Sequence, residues 1–172
     1  VVSGIDHDGK MKGATAVALR TVGGPELEQA ARAALAHTDR SLGTVVFTPS
    51  FGIRWSHKDN HTEVVAHVVS TPQRTPEWPG WLSKAVPQVL DHAARKGILW
   101  IGFAALGTSG GIPSDVAARL MIEAIQKWYA ERPQASPFRI VFALPSDKVY
   151  QAFARELQRR KLRYTEEPSS QP

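Results

Sequence analysis

"GFAALGTSGGIPSDVAARLM", residues Gly102–Met121, decides how this chain folds. An apolar run ends in Gly107-Thr108-Ser109-Gly110-Gly111, and Pro113 with an amphipathic stretch follows at once. Proline suits the first turn of a helix, where its missing N–H has no partner to lose. The order is therefore strand, bare loop, helix. A tight turn needs one or two glycines. A loop that offers backbone N–H groups to an anion uses more, next to a helix N-terminus that already favours negative charge. Both readings stand at this point: a simple turn, or an anion cradle to which Thr108 and Ser109 add hydroxyls.

Working outward, Ile98–Ala104 is nearly continuous in apolar residues, which predicts a strand covered on both faces. Ser114–Arg132 predicts a helix with Val116, Ala117, Leu120, Ile122, Ala124 and Ile125 toward the core. Upstream, Trp78–Lys96 reads as a helix, with Pro87 marking a later true start and Gly97 closing it. Downstream, Phe138–Leu144 predicts a buried strand and Asp147–Arg160 a helix built on Val149, Tyr150, Phe153 and Leu157. The N-terminal half opens with a strand, Val1–Ile5, and a polar loop, Asp6–Gly13. A short helix, Ala14–Val22, stops at Gly23-Gly24-Pro25, and a second, Glu26–His37, begins there. Thr44–Phe47 and Glu63–Val69 are the remaining strands. Strands alternating with helices indicate the α/β class with a mixed, largely parallel sheet. Ligands of such sheets bind beyond the carboxyl ends of the strands. Asp6–Gly13 and Ala105–Ile112 are the two loops at such ends, and they face each other if their strands are neighbours.

The length of 172 residues suits one domain with a proper core. No apolar run reaches the roughly 18 residues of a membrane span, so no membrane partner is expected. The lack of cysteine excludes disulfides, thiolate metal sites and cysteine nucleophiles, and it fits a cytoplasmic home. A net charge of +5 favours polyanionic partners, nucleic acid among them. Part of that excess lies in Arg155–Arg163, where Arg159, Arg160 and Lys161 read as a solvated helix face. The glycine loop is neither a phosphate loop ending in Gly-Lys-Ser/Thr nor a dinucleotide GxGxxG, and no Gly-x-Ser-x-Gly elbow is present. Asp6, His7 and Asp8, and likewise His57, Asp59 and His61, read as polar loops rather than metal sites. No resident metal or cofactor is expected. His67 reads as a core histidine, and Trp78 and Trp81 as packing residues. Arg54 and Trp55 offer a cation and a stacking face for a nucleotide.

The stretch from Leu82 to Phe153 resembles the macro domain family, which binds ADP-ribose and related nucleotides. The resemblance rests on "HAARKGI", "LWIGFAALGT", the glycine loop, "IPSDVAARLMIEAI" and "RIVFALPSDKVYQAF". "VVSGIDHDGKMKGATAVALRTVGGPELEQAA", "GTVVFTPSFGI" and "VVAHVVSTP" match more loosely. It implies a three-layer α/β/α sandwich over residues 1–165, followed by a disordered tail, 166–172. It also implies that Gly107, Thr108, Ser109, Gly110, Gly111 and Ile112 wrap a diphosphate. Gly9, Lys10, Met11, Lys12 and Gly13 would form the opposing loop, with Asp8 the residue for any catalysis. Departures are visible too. Ser3-Gly4-Ile5-Asp6 stands where an Asn-Ala-Ala-Asn-like segment is usual, and Lys10-Met11-Lys12-Gly13 replaces a glycine run. The usual acidic residue falls near Thr15 or Ala16, no lysine nucleophile is evident around Thr71–Arg74, and Pro145 replaces an adenine-stacking aromatic. The chain opens on Val1 and lacks the strands that precede the first loop, which reads as a domain cut from a longer polypeptide. The expectation is a reader or sensor of ADP-ribose or another NAD-derived nucleotide, free or on a macromolecule. The alternatives are an ADP-ribosyl hydrolase and a basic interaction module with a vestigial site.

Overall fold

The computed structural model describes residues 1–53, 62–70 and 79–166. Among the described residues, five strands and four helices follow one another. They are β1 (Val2–Ile5), α1 (Ala14–Leu35), β2 (Val45–Pro49), β3 (Val64–Val69) and α2 (Trp81–Lys96). There follow β4 (Trp100–Ala104), a 3-10 turn (Thr108–Gly110), α3 (Ser114–Glu131), β5 (Arg139–Ala143) and α4 (Asp147–Arg159). The strand order is β2-β3-β1-β4-β5, with only β2 antiparallel to its neighbour. This is the mixed, largely parallel α/β sheet read from the sequence. Among the described residues, no helix is long and apolar enough to cross a membrane.

The two faces of the sheet are unequally covered. α2, α3 and α4 pack with Val2, Ala66, Val68, Ile101 and Phe103 in one large core that includes Leu82, Met121, Trp128 and Phe153. The other face belongs to α1, whose Ala16, Leu27 and Leu35 close over Ile5, Val46, Val65 and Val69. α1 contacts β1 and β2. Beyond it Trp100 is 49% exposed, and Arg139 stacks on its ring 4.1 Å from the centroid. The expectation that β4 is covered on both faces is thus corrected: one face is buried, and the other is open at its start. β5 is corrected likewise, from a buried strand to a half-exposed edge strand.

Local sequence explains most boundaries. Gly23-Gly24-Pro25 breaks α1 as expected, with Gly24 at φ +75° and ψ 176°, so the two halves run on at an angle. Gly97 ends α2 in the left-handed conformation at φ +67°. Pro87, expected to delay that helix, lies inside it. Burial of Leu82, Val86, Val89 and Leu90, each contributing about 1.5–3 kcal/mol, outweighs the roughly 3 kcal/mol that an interior proline costs.

Candidate functional site

β1 and β4 are parallel neighbours, joined at Val2 and Phe103, so the loops at their carboxyl ends rise side by side. They meet at Gly13 and Ser109. A Cβ on Gly13 would stand 3.3 Å from the Ser109 hydroxyl oxygen. Gly13 is also the N-cap of α1, with no side-chain cap and no acidic residue in the first turn. The N–H groups of Ala14, Thr15 and Ala16 therefore have no intrahelical acceptor, and the positive end of the helix dipole is not neutralised by its own sequence.

Asp6 shapes the first loop from within. Its Oδ1 accepts the N–H groups of Asp8 at 3.0 Å and Lys10 at 2.7 Å, while Oδ2 pairs with Lys12 Nζ at 2.9 Å. Partial burial alone would raise this carboxyl, but Lys12 and the two N–H donors outweigh it and hold it below the usual carboxylate range. Gly9 turns the loop at φ +77°, its N–H donating to the Asp6 carbonyl. Met11 is buried among the α1-side core residues, so its side chain anchors the loop. The Lys12 side chain, by contrast, is 70% exposed. Asp8, with a side chain 48% exposed, lies 3.5 Å from His7 Nε2.

The glycine loop is a compact turn. Gly107 and Gly111 adopt left-handed conformations at φ +80° and +94° on either side of the 3-10 turn. Four of its N–H groups, on Thr108, Gly110, Gly111 and Ile112, donate to carbonyls of Ala105, Gly107 and Thr108. The Thr108 hydroxyl also donates to the Ala105 carbonyl, at 2.8 Å. Ile112 is buried, and Ser109 is exposed. From the residues the loop is either a simple turn or an anion cradle, and the family resemblance implies that Gly107–Ile112 wrap a diphosphate. Ser109 is the exposed residue of the turn that faces the start of α1. α3 begins at Pro113, again without a side-chain cap.

Two further residues support the loops: Trp81, read from the sequence as a packing residue, and Glu28, which sequence reasoning missed. Trp81, 2% exposed, packs under the loop, where a Cβ on Gly107 would come within 3.1 Å of its Cζ2. Glu28 accepts the Met11 N–H at 3.1 Å. Its only visible signal was the i,i+4 spacing to Arg32, which reads as an ordinary surface pair. Arg54, Trp55, His57, Asp59, His61 and Trp78 lie outside the described residues. Among the described residues no cluster of three or more metal-ligating side chains occurs. His67 is fully buried, as expected of a core histidine. A cavity of about 320 Å³ lies at the opposite end of the sheet, lined by Phe47, Ala93, Ile98, Trp100 and Val141. It is remote from both loops.

A family model described as Macro domain matches residues 2–121. Uncharacterized proteins of Mycobacterium tuberculosis and Mycobacterium bovis are each 31% identical over 147 residues, covering 85% of this chain and 37% of theirs. The chain therefore spans little more than a third of the length of these curated relatives. Among solved structures, the Oceanobacillus iheyensis macrodomain with ADP superposes with a TM-score of 0.77 at 19% identity, over 93% of this chain and 83% of that one. The Trypanosoma brucei macrodomain in complex with ADP-ribose gives 0.70 at 21% identity, over 90% and 61%. These structural likenesses concern the fold. With the family model covering well over half of its length, the chain belongs to the Macro domain family.

Proposed function

We propose that this chain binds ADP-ribose, or a related NAD-derived nucleotide diphosphate, between the loops Asp6–Gly13 and Ala105–Ile112, as a reader or sensor module. One observation carries the reading: the uncapped N-terminus of α1 meets Ser109 above the carboxyl ends of two adjacent parallel strands. Family membership supports it, as do the ADP and ADP-ribose held by the similar structures. An anion there gains from the helix dipole by about 0.3–1 kcal/mol when exposed and up to about 2 when partly buried. Gly107–Ile112 supply the opposing wall, with Ser109 exposed beside the start of α1. A place in NAD metabolism belongs to the same proposal, and the cytoplasmic location proposed with it draws on the lack of cysteine. Calorimetric titration with ADP-ribose is the test: saturable heat is expected, and no heat from demonstrably folded protein overturns the reading.

A hydrolase reading draws on Asp8, since Asp6 is committed to the loop and Asp8 is half exposed, beside His7 and within electrostatic reach of Lys12. Incubation with ADP-ribosylated protein or nucleic acid tests it, and no release of ADP-ribose at any linkage removes it. The basic-surface reading draws less support. Arg159 and Arg160 both close on Glu156, and Arg160 reaches on to Gln126 and Glu123 of α3.

A further inference from the structure

We infer that Glu28, a residue remote from the loops in sequence, is the positioning residue for the anion-binding end of the first loop. The inference rests on the ADP-ribose reading above and adds to it the group that aims the loop.

The break at Gly24-Pro25 turns the second half of α1 so that Glu28 lies beneath the loop that precedes the first half. Three donors converge on its carboxylate. Oε2 accepts the Met11 N–H at 3.1 Å and Arg20 Nη1 at 3.2 Å, and Oε1 accepts Arg32 Nη2 at 2.5 Å. Arg20 precedes the break and Arg32 follows it, so the single carboxylate ties both halves of the helix to the loop. Its side chain is 15% exposed, against 46% and 45% for the two arginines. Arg32 clasps the loop a second time, because a Cβ on Gly9 would lie 2.8 Å from its Cγ.

The order of hydrogen bonds along the loop gives this contact its meaning. The N–H groups of Asp8, Gly9 and Lys10 all donate to Asp6, and that of Met11 donates to Glu28. Immediately after Met11 come Lys12, Gly13 and the uncapped first turn of α1, the backbone that meets Ser109. Glu28 thus takes the last hydrogen-bonded backbone N–H of the loop before the start of α1. Because the glycine loop uses most of its own N–H groups, the direction of this segment determines where an anion is held. Glu28 itself touches no ligand; its carboxylate is filled by protein donors.

The test pairs affinity with amide exchange in Glu28→Ala and Glu28→Gln. A misaligned donor set costs on the order of tenfold or more in a site that works by positioning. Glu28→Ala is therefore expected to weaken ADP-ribose binding about tenfold and to speed exchange at Met11, Lys12 and Gly13, leaving α4 amides unchanged. Glu28→Gln keeps an oxygen for the Met11 N–H and is expected to stay within about threefold of the parent. If Glu28→Ala does not fold, Glu28→Leu takes its place, since leucine favours a helix and accepts no hydrogen bond. Affinity within twofold of the parent in the Ala or Leu variant overturns the inference, and so does a Gln variant as weak as Ala. If the parent gives no heat with ADP-ribose, the binding reading fails instead. Exchange at Met11 then still shows whether Glu28 fixes the loop, and unchanged exchange sinks that as well.

Discussion

Two glycines bracket the 3-10 turn in the same left-handed conformation, and their surroundings separate conformational strain from steric contact. At Gly111, φ is +94° and no atom lies within 4 Å of where a Cβ would stand. Gly111→Ala then carries only the cost of a left-handed residue with a side chain, about 1–2 kcal/mol. At Gly107, φ is +80°, and the added methyl falls 2.4 Å from Ile112 Cδ1 and 3.1 Å from Trp81 Cζ2. Ile112 Cδ1 is the end of a flexible side chain and can swing aside, but Trp81 is buried under the loop and cannot. Overpacking adds about 1–3 kcal/mol, for a total near 2–5. In a domain of this size each kcal/mol moves the melting temperature by about 2–4 °C. Gly111→Ala should therefore lower it by a few degrees and Gly107→Ala by about twice as much or more, with urea unfolding at 25 °C giving the same order. The Gly111 methyl points into open space beside the proposed diphosphate, so its ADP-ribose affinity should fall further than its stability does. Equal destabilisation by the two alanines refutes the steric argument. A Gly111→Ala protein as stable as the parent refutes the conformational one.

Two pH effects follow from buried titratable groups. His67 is fully buried with Nε2 2.9 Å from the Thr48 hydroxyl oxygen, and burial, helped by the nearby N-terminal ammonium, lowers its pKa to about 4. The unfolded chain takes up that proton near pH 6.5 and the folded protein does not, so stability is full above 6.5 and falls as the pH drops to about 4. The loss is about 3 kcal/mol, measurable by urea unfolding across that range. His67→Gln should flatten this slope, and an unchanged slope would mean the imidazole is not held neutral. Glu156 behaves in the opposite charge sense: Arg159 first, then Arg160, overcome its partial burial and hold it at about 2. Its contribution is present above pH 4.5 and is lost as the pH falls through that value toward 2. Glu156→Gln should cost about 1–2 kcal/mol at neutral pH after allowance for solvent screening of the exposed Arg159, and little at pH 2.

The sequence was most legible where one residue type admits one backbone solution. Gly97 as a left-handed cap, Gly24-Pro25 as a break and the alternation of strands with helices all fall in that group. Coverage of the sheet was not legible. Ile98–Ala104 is apolar enough for a strand buried on both faces, but Leu99 and Trp100 are 56% and 49% exposed because α1 stops at β1. A strand's composition records what it can bury; which helix reaches it depends on the length and direction of a distant element. The glycine loop shows the same limit at smaller scale. Its glycines left a turn and an anion cradle both open, because no spacing rule says whether the amides point at a ligand or at carbonyls three residues back. Hydrogen-bond direction is settled by φ and ψ, which the residue names only bound.

The charged residues around the site lead to a conclusion that the net charge alone would reverse. A chain at +5 invites the view that an anion is held by cationic side chains. Around the first loop, however, Lys12 is paired with Asp6, and Arg20 and Arg32 with Glu28. At the far end Arg159 and Arg160 are paired with Glu156. Lys12, Arg20 and Arg32 hold carboxylates, and the carboxylates in turn hold backbone N–H groups. For the proposed ligand, the described residues offer neutral donors, the helix-end amides and the Ser109 hydroxyl, besides the Lys10 cation. Such donors recognise the geometry of a phosphate as much as its charge, because each must lie within hydrogen-bond distance and in line. Selectivity in this site then depends on how firmly the loop is fixed. On the proposed reading Asp6 and Glu28, two acidic residues beside the anion, act as supports for binding, and their negative charges, already met by protein donors, do not conflict with a diphosphate there.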